Sequence, residues 1–448
     1  MAGVAEQGDT AWPDSAWVRT AGSPPTWPQP RGDIETGTVV VGGGFTGLSA
    51  ALHLAERGQS VIVLEAAEPG WGASGRNGGQ VIPGLKADPD ALEAHFGPEW
   101  GPRVVRTVGA AADDLFELLS RHGIACQARQ SGWLQPAHCS RAMAAVRQRV
   151  GQWRRRGVDA RVLDGDGVRD LLGCAPGVYV GGWLDPRGGS VHPLALARGL
   201  AQAAAGAGAV IHGRAPVTGV HREGGHWRAE TPGGRVRAQR LLFATNGYTG
   251  GLWPSLRRSV VPVFSQQIAT APLPPQLRER ILPQGHVVSD TRRLMRYFRL
   301  DDEGRLLMGG RGPFRDRVGP GDTDALNREA CRLFPDVAGI PLETTWAGRV
   351  AMTADHLPHL HALGNDAYAA MGYNGRGVAM AVTLGRILAD LVAGTPAGDL
   401  DFPVTPMRPL RLHALRRPAI ATLTAWYRLL DRRDERSPSS VEADLSEP

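Results

Sequence analysis

The hydrophobic pattern of the chain is clearest between residues 38 and 65. An apolar run at 39–41 stops at a glycine-rich turn, and apolar residues then recur three and four positions apart over 48–55. A second apolar run at 61–64 ends at Glu65. This pattern predicts a strand, a glycine turn, a helix and a second strand, with an acidic residue closing the βαβ unit.

Apolar periodicity predicts further elements along the rest of the chain. Helical spacing predicts helices over 110–121, 193–205, 324–333, about 375–391 and 419–430. Short apolar or alternating runs predict strands over 132–134, 178–183, 209–212, 217–220, 227–230, 236–238, 241–245, 265–270, 295–300, 305–309 and 367–371. The run 241–245 leads into a glycine, which favours its return to the first sheet, and residues 301–304 favour a hairpin turn.

Length and composition limit the class of protein. The 448 residues suffice for two or three domains, and no apolar run is long enough to cross a membrane. The N-terminus lacks a signal-peptide pattern, so we expect a soluble, cytoplasmic protein. The formal charge is +6, but Lys86 is the only lysine and the arginines are scattered, so we expect no nucleic-acid binding. The basic C-terminal helix could lie on a membrane, but its apolar face is modest, so we expect it to pack on the body. The four cysteines are widely spaced and predict neither a metal site nor a disulfide.

The glycines of the first turn indicate that the βαβ unit binds a dinucleotide. Gly42 allows the tight turn, Gly44 lets backbone amides approach a pyrophosphate, and Gly47 lets the helix pack on the strand. The helix N-terminus adds partial positive charge for the phosphates. Glu65 is placed to bind ribose hydroxyls and would repel a 2′-phosphate, so NADP is disfavoured while NAD and FAD both remain open.

Two later segments repeat this concentration of glycine. Residues 70–80 contain five glycines in eleven positions, which predicts a loop whose backbone approaches a flat or phosphorylated ligand. Within it, Ser74, Arg76 and Asn77 are placed to contact the rest of a cofactor. Residues 372–378 form a second glycine-rich turn from a strand into a helix.

The opening unit and four further motifs resemble the D-amino-acid oxidase superfamily of FAD-dependent oxidoreductases. The motifs are GWGASGRNGGQ from residue 70, FATNG from 243, YFRLDDEGRLLMGG from 297 and GYNGRGVAM from 372. The similarity covers about residues 12–430 and is greatest to the glycine/sarcosine oxidase branch, including γ-glutamylputrescine oxidase-like enzymes. It implies an α/β fold in which a Rossmann-like FAD-binding domain of the glutathione-reductase type carries a second, antiparallel-sheet α+β substrate domain.

The two implied domains interleave along the chain, with an arm before them and a helix after them. The expected bounds are an extended arm over 1–36, a discontinuous FAD-binding domain over 37–86, 190–250 and 340–405, a substrate domain over 87–189 and 251–339, and an amphipathic helix with a disordered tail over 406–448.

The resemblance implies an extended FAD whose adenosine end lies on the opening unit. The first turn would hold the pyrophosphate, Glu65 the ribose and Val217 the adenine. The second glycine-rich segment would follow the ribityl chain and isoalloxazine, and the third would line the pyrimidine end of the flavin. The implied cofactor-binding residues are Gly42, Gly44, Phe45, Thr46, Gly47, Glu65, Ala66, Gly72, Ala73, Ser74, Arg76, Asn77, Gly78, Gly79, Val217, Thr245, Asn246, Gly247, Gly348, Gly372, Tyr373, Asn374, Gly375, Gly377 and Val378.

The resemblance also implies a reaction. A hydride would pass from the carbon that bears a primary or secondary amine to flavin N5, the imine would hydrolyse, and O2 would reoxidise the flavin and yield H2O2. The substrate would be a small-molecule amine or amino acid, such as a γ-glutamylputrescine-like compound. Arg299 would hold a substrate carboxylate. The candidate catalytic residues are Arg76, Tyr297, Arg299 and Arg376. The candidate substrate residues are Trp183, His192, Trp346 and Tyr373, and for His192, which precedes Pro193 at a predicted helix start, a capping role is the alternative.

Two departures from this branch change the expectations. Sarcosine-type enzymes attach the flavin to a cysteine shortly before the segment that matches 353–355, where this chain has none, so we expect noncovalent FAD. Their oxygen-activating lysine is replaced on the hairpin by residues 305–307, and Lys86 lies in a different segment. An oxidase is the first expectation. Two alternatives stay open, a dehydrogenase that uses a quinone or another acceptor and a tRNA-modifying flavoprotein.

Three closely spaced histidines near residue 360 raise the question of a metal site. They are His356, His359 and His361, and Pro358 breaks any helical geometry between them. No cysteine or carboxylate follows at ligand spacing, so we expect no metal. The sequence leaves the oligomeric state open.

Overall fold

The computed structural model describes residues 10–436 of the chain. The strands, in chain order, are β1 (Ile34–Val41), β2 (Val61–Leu64), β3 (Gln80–Val81), β4 (Trp133–Ala137), β5 (Arg161–Asp164), β6 (Gly181–Asp185), β7 (Gly189–Ser190), β8 (Val210–His212), β9 (Gly219–Glu223), β10 (His226–Thr231), β11 (Gly234–Phe243), β12 (Val261–Pro272), β13 (Val287–Ser289), β14 (Tyr297–Leu300), β15 (Arg305–Arg311), β16 (Leu342–Met352), β17 (His359–Gly364) and β18 (Ala367–Met371). The α-helices are α1 (Ala16–Thr20), α2 (Phe45–Glu56), α3 (Pro89–Arg121), α4 (Ser140–Arg154), α5 (Gly165–Leu172), α6 (Pro193–Gly206), α7 (Pro254–Ser259), α8 (Pro275–Arg278), α9 (Asp324–Leu333), α10 (Gly377–Val392) and α11 (Arg416–Arg436).

The first sheet has a parallel centre built from the predicted βαβ unit. Its strand order is β17-β18-β11-β1-β2-β8, with β10 attached to β11 and β9 to β10. Val39 of β1 pairs with Ile62 of β2 and with Leu241 of β11, and these strands run parallel. All four residues of β2 and the last four of β1 are buried, as expected for parallel strands covered on both faces. The βαβ unit and the return of the strand near 241–245 to this sheet are therefore confirmed.

The second sheet is largely antiparallel and follows the order β16-β12-β15-β14-β13-β4-β6-β5. The predicted hairpin is β14–β15, in which Tyr297 pairs with Gly309. One expected boundary needs correction. Residues 342–352 pair with β12 along nearly their whole length, so β16 belongs to this second sheet, whereas the sequence grouped 340–405 with the FAD-binding domain.

The largest helix differs most from its prediction. α3 has 33 residues and a break at Gly97, where φ is 77°, whereas periodicity indicated only 110–121. Pro98 directly follows the break and begins the second part of the helix, where proline is tolerated. In the sequence, the Gly97–Pro98 pair instead suggests a loop. α3 packs on α10 within the core that also contains α2, although its residues fall in the range expected for the substrate domain.

Two further elements differ from their predictions. α4 was not predicted, and the runs at 236–238 and 241–245 fall largely within the single strand β11.

The N-terminal arm packs on the body through α1. Trp17 is fully buried, and its indole Nε1 donates a hydrogen bond of 2.8 Å to the carbonyl of Asn77. Residues 1–9 and 437–448, which include the predicted disordered tail, lie outside the described residues. Within 10–436, no helix combines the length and the apolar character that crossing a bilayer requires.

Candidate active site

A cavity of about 2460 Å³ begins where the central parallel strands end. Gly42, Glu65 and Thr245 line it at the carboxyl ends of β1, β2 and β11, which is where open α/β sheets bind their ligands. From there it runs past β12, β15 and β16 of the second sheet to α11. Its volume is more than twice the roughly 300–1,000 Å³ of a pocket for a drug-sized ligand, so it can hold an extended dinucleotide and a substrate together.

The first glycine turn is held against the ends of the central strands. Gly42 has a φ of +108°, and a Cβ atom there would lie 3.0 Å from the carbonyl oxygen of Ala244. A Cβ atom on Gly47 would lie 2.0 Å from the Gly42 carbonyl oxygen, so Gly47 serves packing and does not line the cavity. α2 starts after Gly44, which has no side chain to cap its first amides. Those amides are a ready site for anionic oxygens.

Glu65 is fixed at the end of the cavity where the sequence predicts adenosine binding. One carboxylate oxygen accepts a hydrogen bond of 2.6 Å from the Gly43 amide, and the other accepts one of 3.0 Å from the Ala67 amide. Burial raises the pKa of Glu65, and these two amides oppose that shift. Ala66 and Val217, both predicted to bind the cofactor, line the same end of the cavity.

The second glycine-rich segment is a rigid loop and not a flexible one. The Ser74 hydroxyl accepts a hydrogen bond of 3.0 Å from the Phe45 amide at the start of α2. Asn77 donates to the carbonyls of Ala73 and Ser74 and accepts from the amide of Gly79 at 2.8 Å. The backbone of this loop is therefore fixed before any ligand binds. Of its predicted residues, Gly72, Ala73, Ser74, Arg76, Asn77 and Gly78 line the cavity.

Gly79 is the exception within this loop. A Cβ atom there would lie 2.2 Å from the carbonyl oxygen of Val191 and 2.6 Å from a guanidinium nitrogen of Arg299. Gly79 therefore packs against the protein, and the cavity lining does not include it.

The third glycine-rich segment meets the first inside the protein. The Tyr373 hydroxyl lies 2.6 Å from the Thr46 hydroxyl, and both residues line the cavity. Asn374 has a φ of 53° and accepts a hydrogen bond of 3.0 Å from the Thr353 amide. Gly372 lies outside the lining, since a Cβ atom there would come within 2.3 Å of the Thr353 side chain. The other predicted residues of this region line the cavity: Asn246, Gly247, Gly348, Gly375, Gly377 and Val378.

Tyr297 and Arg76 both face the cavity, as predicted. The Tyr297 hydroxyl lies 2.7 Å from that of Ser265, and burial raises the pKa of Tyr297 to about 12. A Cβ atom on Gly78 would lie 3.0 Å from the Tyr297 ring, so the ring covers the glycine loop. Arg76 donates to the carbonyl of Trp71 at 2.8 Å, and its guanidinium lies 4.2 Å from the centre of the Trp71 ring.

Two predicted catalytic arginines are buried in the scaffold instead. Arg299 donates to the carbonyls of Gly78 at 2.8 Å and Val191 at 2.9 Å, which leaves it no access to a substrate carboxylate. Burial lowers the pKa of Arg299 to about 10. Arg376 lies 4.6 Å from the centre of the Trp133 ring, and burial lowers its pKa to about 9. Neither side chain lines the cavity, so both predicted roles are corrected to supporting ones.

Three predicted substrate residues are likewise structural. Trp183 is buried and donates to the side chain of Gln135 at 2.9 Å. His192 caps α6 by accepting from the Ala195 amide, and burial lowers its pKa to about 4. Trp346 donates to the Arg76 carbonyl at 2.9 Å and so supports the glycine loop from outside the cavity. Of the four predicted substrate residues, Tyr373 alone lines the cavity.

The sequence missed two cations that face the cavity. Lys86 is exposed to it, and partial loss of water together with the charges of Arg376 and Arg311 lowers the pKa of Lys86 to about 8. Arg311 ends β15 with its guanidinium 5.7 Å from the centre of the Phe314 ring, and burial lowers its pKa. Within residues 10–436 neither cation has an acidic partner.

Neighbouring arginines differ from these two because carboxylates neutralise them. Arg349 also lines the cavity, but Asp316 accepts from its guanidinium at 3.0 Å. Arg305, which stands on the hairpin where the family lysine was expected, donates to Glu343 at 2.8 Å. Unlike these two arginines, Lys86 and Arg311 keep uncompensated positive charge toward the cavity, and so does Arg76, which has no acidic partner within residues 10–436.

His359 and His361 form hydrogen bonds with neighbouring protein groups. His359 contacts Asp355 at 3.1 Å and Thr405 at 2.9 Å, and its ring stacks on that of His361. A different group, His138, Cys139 and Asp434, has its potential ligand atoms within 4.8 Å of one another. There Asp434 already accepts from Arg293 at 2.7 Å and from Arg141 at 2.6 Å, so two cations occupy the carboxylate that a metal would need.

Comparison with known proteins identifies the class to which this fold and cavity belong. Residues 38–391 match the family model described as FAD dependent oxidoreductase, DAO. The chain belongs to this family, and its cofactor is FAD. The predicted family, fold class and cofactor are confirmed.

Individual relatives narrow the similarity further. The chain is 33% identical over 398 residues to a gamma-glutamylputrescine oxidoreductase of Escherichia coli strain K12, covering 88% of this chain and 92% of that protein. It is 31% identical over 428 residues to a probable oxidoreductase, OrdL, of Rhizobium meliloti strain 1021, covering 94% and 98% respectively.

Solved structures share the fold at lower identity. Glycine oxidase from Geobacillus kaustophilus superposes with a TM-score of 0.69 at 23% identity, over 83% of this chain and 99% of that one. L-proline dehydrogenase from P. horikoshii superposes with a TM-score of 0.67 at 21% identity, over 80% and 94%. These two structures establish the shared fold alone.

The residues of the cavity fit an extended FAD. Gly44 packs closely on Ser74, whose hydroxyl a Cβ atom on Gly44 would meet at 2.9 Å. The Phe45 amide donates to that hydroxyl, and the amides that follow it at the start of α2 provide donors for a phosphate. At one end Glu65 offers carboxylate oxygens suited to ribose hydroxyls. At the other end the amides that begin α10 point toward the region lined by Tyr373 and Gly375, where donors and partial positive charge suit a reduced flavin.

Proposed function

We propose that this protein oxidises the C–N bond of a small amine or amino acid. The observation that carries the proposal is a single cavity that joins a dinucleotide-binding end to a second end lined by Tyr297, Lys86 and Arg311. Similarity to a gamma-glutamylputrescine oxidoreductase, named for an amine, and to a glycine oxidase, named for an amino acid, supports it.

The dinucleotide end would hold FAD through backbone and carboxylate contacts. Amides at the start of α2 would bind the pyrophosphate, and Glu65 would accept from the adenosine ribose. The loop around Ser74 and Asn77, already fixed by its own hydrogen bonds, would present a preorganised surface to the ribityl chain and ring system. FAD, when bound, supplies a two-electron acceptor for the hydride of the carbon beside the amine.

At the substrate end, this chain's own groups would position the amine and select its protonation state. Phe264 and Tyr297 contribute aromatic walls, while Lys86 and Arg311 contribute positive charge. The positive charge disfavours an ammonium group and so favours the neutral amine that hydride loss requires. The same two cations would bind a carboxylate elsewhere on the substrate.

A panel of primary amines, secondary amines, amino acids and hydroxy acids tests this function. The yellow protein is mixed with each compound without oxygen, and loss of the oxidised-flavin absorbance is followed. Bleaching by amines or amino acids is the expected result. Bleaching by hydroxy acids alone would contradict the proposal.

Molecular oxygen is the proposed electron acceptor, and a dehydrogenase is the alternative. The alternative is favoured by one observation, namely that Arg305 on the hairpin is neutralised by Glu343 and does not face the cavity. Oxygen uptake with stoichiometric H2O2 under saturating substrate supports an oxidase. Reduction of a dye or quinone with negligible oxygen uptake supports a dehydrogenase.

We also propose that FAD is bound noncovalently. None of the four cysteines lines the cavity, and burial raises the pKa of Cys126 to about 12 and that of Cys174 to about 11. Acid precipitation should therefore leave the flavin in the supernatant. Flavin that stays with the pellet would refute noncovalent binding.

A further inference from the structure

Exposed apolar side chains concentrate on one C-terminal segment. Five of the seven large apolar residues exposed within 10–436 are Leu412, Leu415, Leu423, Trp426 and Leu429, with exposures of 45% to 73%. The last three are spaced three residues apart and so follow one side of α11. We refer to these five residues as the C-terminal apolar face.

Positive charge surrounds the start of this face. Arg257, Arg258, Arg411 and Arg417 are exposed, and among the described residues none of them has an ion-pair partner. Arg257 and Arg417 lie near Arg416, since burial and the charges of these two arginines lower the pKa of Arg416. The segment is held in place there by a hydrogen bond of 2.9 Å from the Leu410 amide to the Arg258 carbonyl.

The acidic residues of α11 are turned to the body and do not neutralise these arginines. Asp431 accepts from Arg293 at 2.9 Å, and Asp434 accepts from Arg293 at 2.7 Å. Glu435 accepts from Arg292 at 2.8 Å. These contacts anchor the far end of the helix, so α11 is docked on the body while its outer side is left apolar and basic.

We propose that the C-terminal apolar face and the surrounding arginines bind the surface of an anionic lipid bilayer. Leucine and tryptophan beside arginine on one side of a helix form the pattern of an interfacial helix, which lies in the headgroup region without crossing the membrane. Each arginine near an anionic surface adds about 1 kcal/mol of attraction, or about fivefold in binding.

A second copy of the chain fits this face less well than a bilayer. In a two-fold dimer the same patch meets itself, so Arg411 and its neighbours would face identical arginines without intervening acids. Like charges placed opposite one another oppose such an association. A bilayer containing anionic headgroups supplies both the apolar phase and the counter-charge that the patch lacks.

The bilayer-binding side borders the cavity. Ile420, Thr424 and Tyr427 line the cavity from α11, and Leu423 belongs both to the lining and to the apolar face. Docking on a bilayer would therefore bring the mouth of the cavity close to the headgroups, where an amphipathic electron acceptor dissolved in the membrane is accessible.

Vesicle sedimentation of the FAD-loaded full-length protein tests the proposal. Vesicles of phosphatidylcholine alone are compared with vesicles that also contain phosphatidylglycerol, at low and at high salt. We expect binding to the anionic vesicles that weakens with salt. The double variant Trp426→Ser/Leu429→Ser should lower the partition coefficient at least about tenfold. The double variant Arg258→Gln/Arg411→Gln should lower it about fivefold for each charge removed.

Matched variants control for general loss of exposed apolar or basic residues. Val162→Ser/Val210→Ser removes the two exposed apolar side chains elsewhere, and Arg161→Gln/Arg235→Gln removes two exposed charges elsewhere. Both controls should sediment like the unchanged protein, and flavin content and circular dichroism verify the fold of every variant. Three results would each overturn the proposal: no binding to anionic vesicles, equal losses in variants and controls, or a concentration-dependent dimer that Trp426→Ser/Leu429→Ser disrupts.

Discussion

The hydroxyl of Thr46 lies 2.6 Å from the hydroxyl of Tyr373, and this contact joins two glycine-rich turns that are 327 residues apart in the chain. Thr46 belongs to the first turn of α2, and Tyr373 belongs to the turn that precedes α10. Burial raises the pKa of Tyr373, so its hydroxyl remains protonated and available for the bond. The contact fixes the position of the turn before α2, proposed to hold the pyrophosphate, relative to the turn before α10, proposed to line the flavin.

Tyr373→Phe should therefore weaken FAD binding as well as stability. The change removes one buried hydrogen bond and leaves the Thr46 hydroxyl without this partner, which costs about 1–2 kcal/mol. We expect the free energy of unfolding to fall by about this amount and the FAD dissociation constant to rise severalfold. Tyr368→Phe on β18, just before Tyr373 in the chain, is the matched control, because within residues 10–436 the Tyr368 hydroxyl has no hydrogen-bond partner. Equal effects of the two substitutions would contradict the assigned role of the contact.

Glu65→Gln should weaken FAD binding more strongly. Glutamine presents an NH2 group where the carboxylate now accepts from the amides of Gly43 and Ala67, and it also loses one acceptor for the ribose. Hydrogen bonds to charged groups contribute about 1.5–3 kcal/mol, so we expect the FAD dissociation constant to rise about tenfold to hundredfold. Titration of the apoprotein followed by flavin fluorescence measures it. Glu68→Gln, which alters a surface pair with Arg214, should stay within about twofold of the unchanged protein.

Lys86→Met and Arg311→Gln should each reduce the use of substrates that carry a carboxylate. Both residues face the cavity without an acidic partner within the described residues, so each loses a charged contact to the substrate anion. We expect kcat/KM for an amino acid to fall about tenfold to hundredfold. The same amine without its carboxylate should change by less than about threefold. Similar losses for both compounds would show that the two cations serve another role, and Arg161→Gln controls for a change in total charge.

Local pattern predicted the elements that bind the two ends of the cofactor. The strand, turn and helix around Gly42 and the strand over Ala367–Met371 have strong apolar runs bounded by glycine, and the structure forms them at those positions. α9 likewise begins at Asp324 and ends at Leu333, as its periodicity indicated. In these segments, burial on the folded body and local propensity favour the same conformation.

Side-chain environment could not be predicted in the same way. Tyr297 and Arg299 are two residues apart on β14 and so share a face, which the sequence indicated correctly. The carbonyls of Gly78 and Val191 bind the Arg299 guanidinium, whereas Tyr297 packs on Gly78 and still borders the cavity. These different environments depend on segments distant in the chain. For the same reason the position of Lys86, in the loop between β3 and α3, gave no sign that it faces the cavity.

Lys86 should also give the reaction a pH dependence that Lys86→Met lacks. The charges that act on Lys86 come from Arg376 and Arg311, and His356 also lies within its electrostatic range. Lys86 loses its proton as the pH rises through about 8, whereas the pKa of Arg376 is about 9 and burial lowers the pKa of His356 below its usual 6.5. The ratio of kcat/KM between the unchanged protein and Lys86→Met, measured with an amino acid, should therefore fall from about pH 7 to about pH 9, since titration of the substrate amine cancels in the ratio.

The lowered pKa of Lys86 should make the free energy of unfolding rise with pH, whereas it makes the contribution of Lys86 to kcat/KM fall. The pKa of Lys86 is about 8 in the folded protein and 10.5 in the unfolded chain, so between these values the unfolded chain binds more protons. The free energy of unfolding contributed by this group therefore rises with pH across that window. Denaturant unfolding of the unchanged protein and Lys86→Met at several pH values measures it. We expect the difference in stability between the two proteins to change with pH, and a difference that stays constant from pH 7 to about 10 would contradict the assigned environment of Lys86.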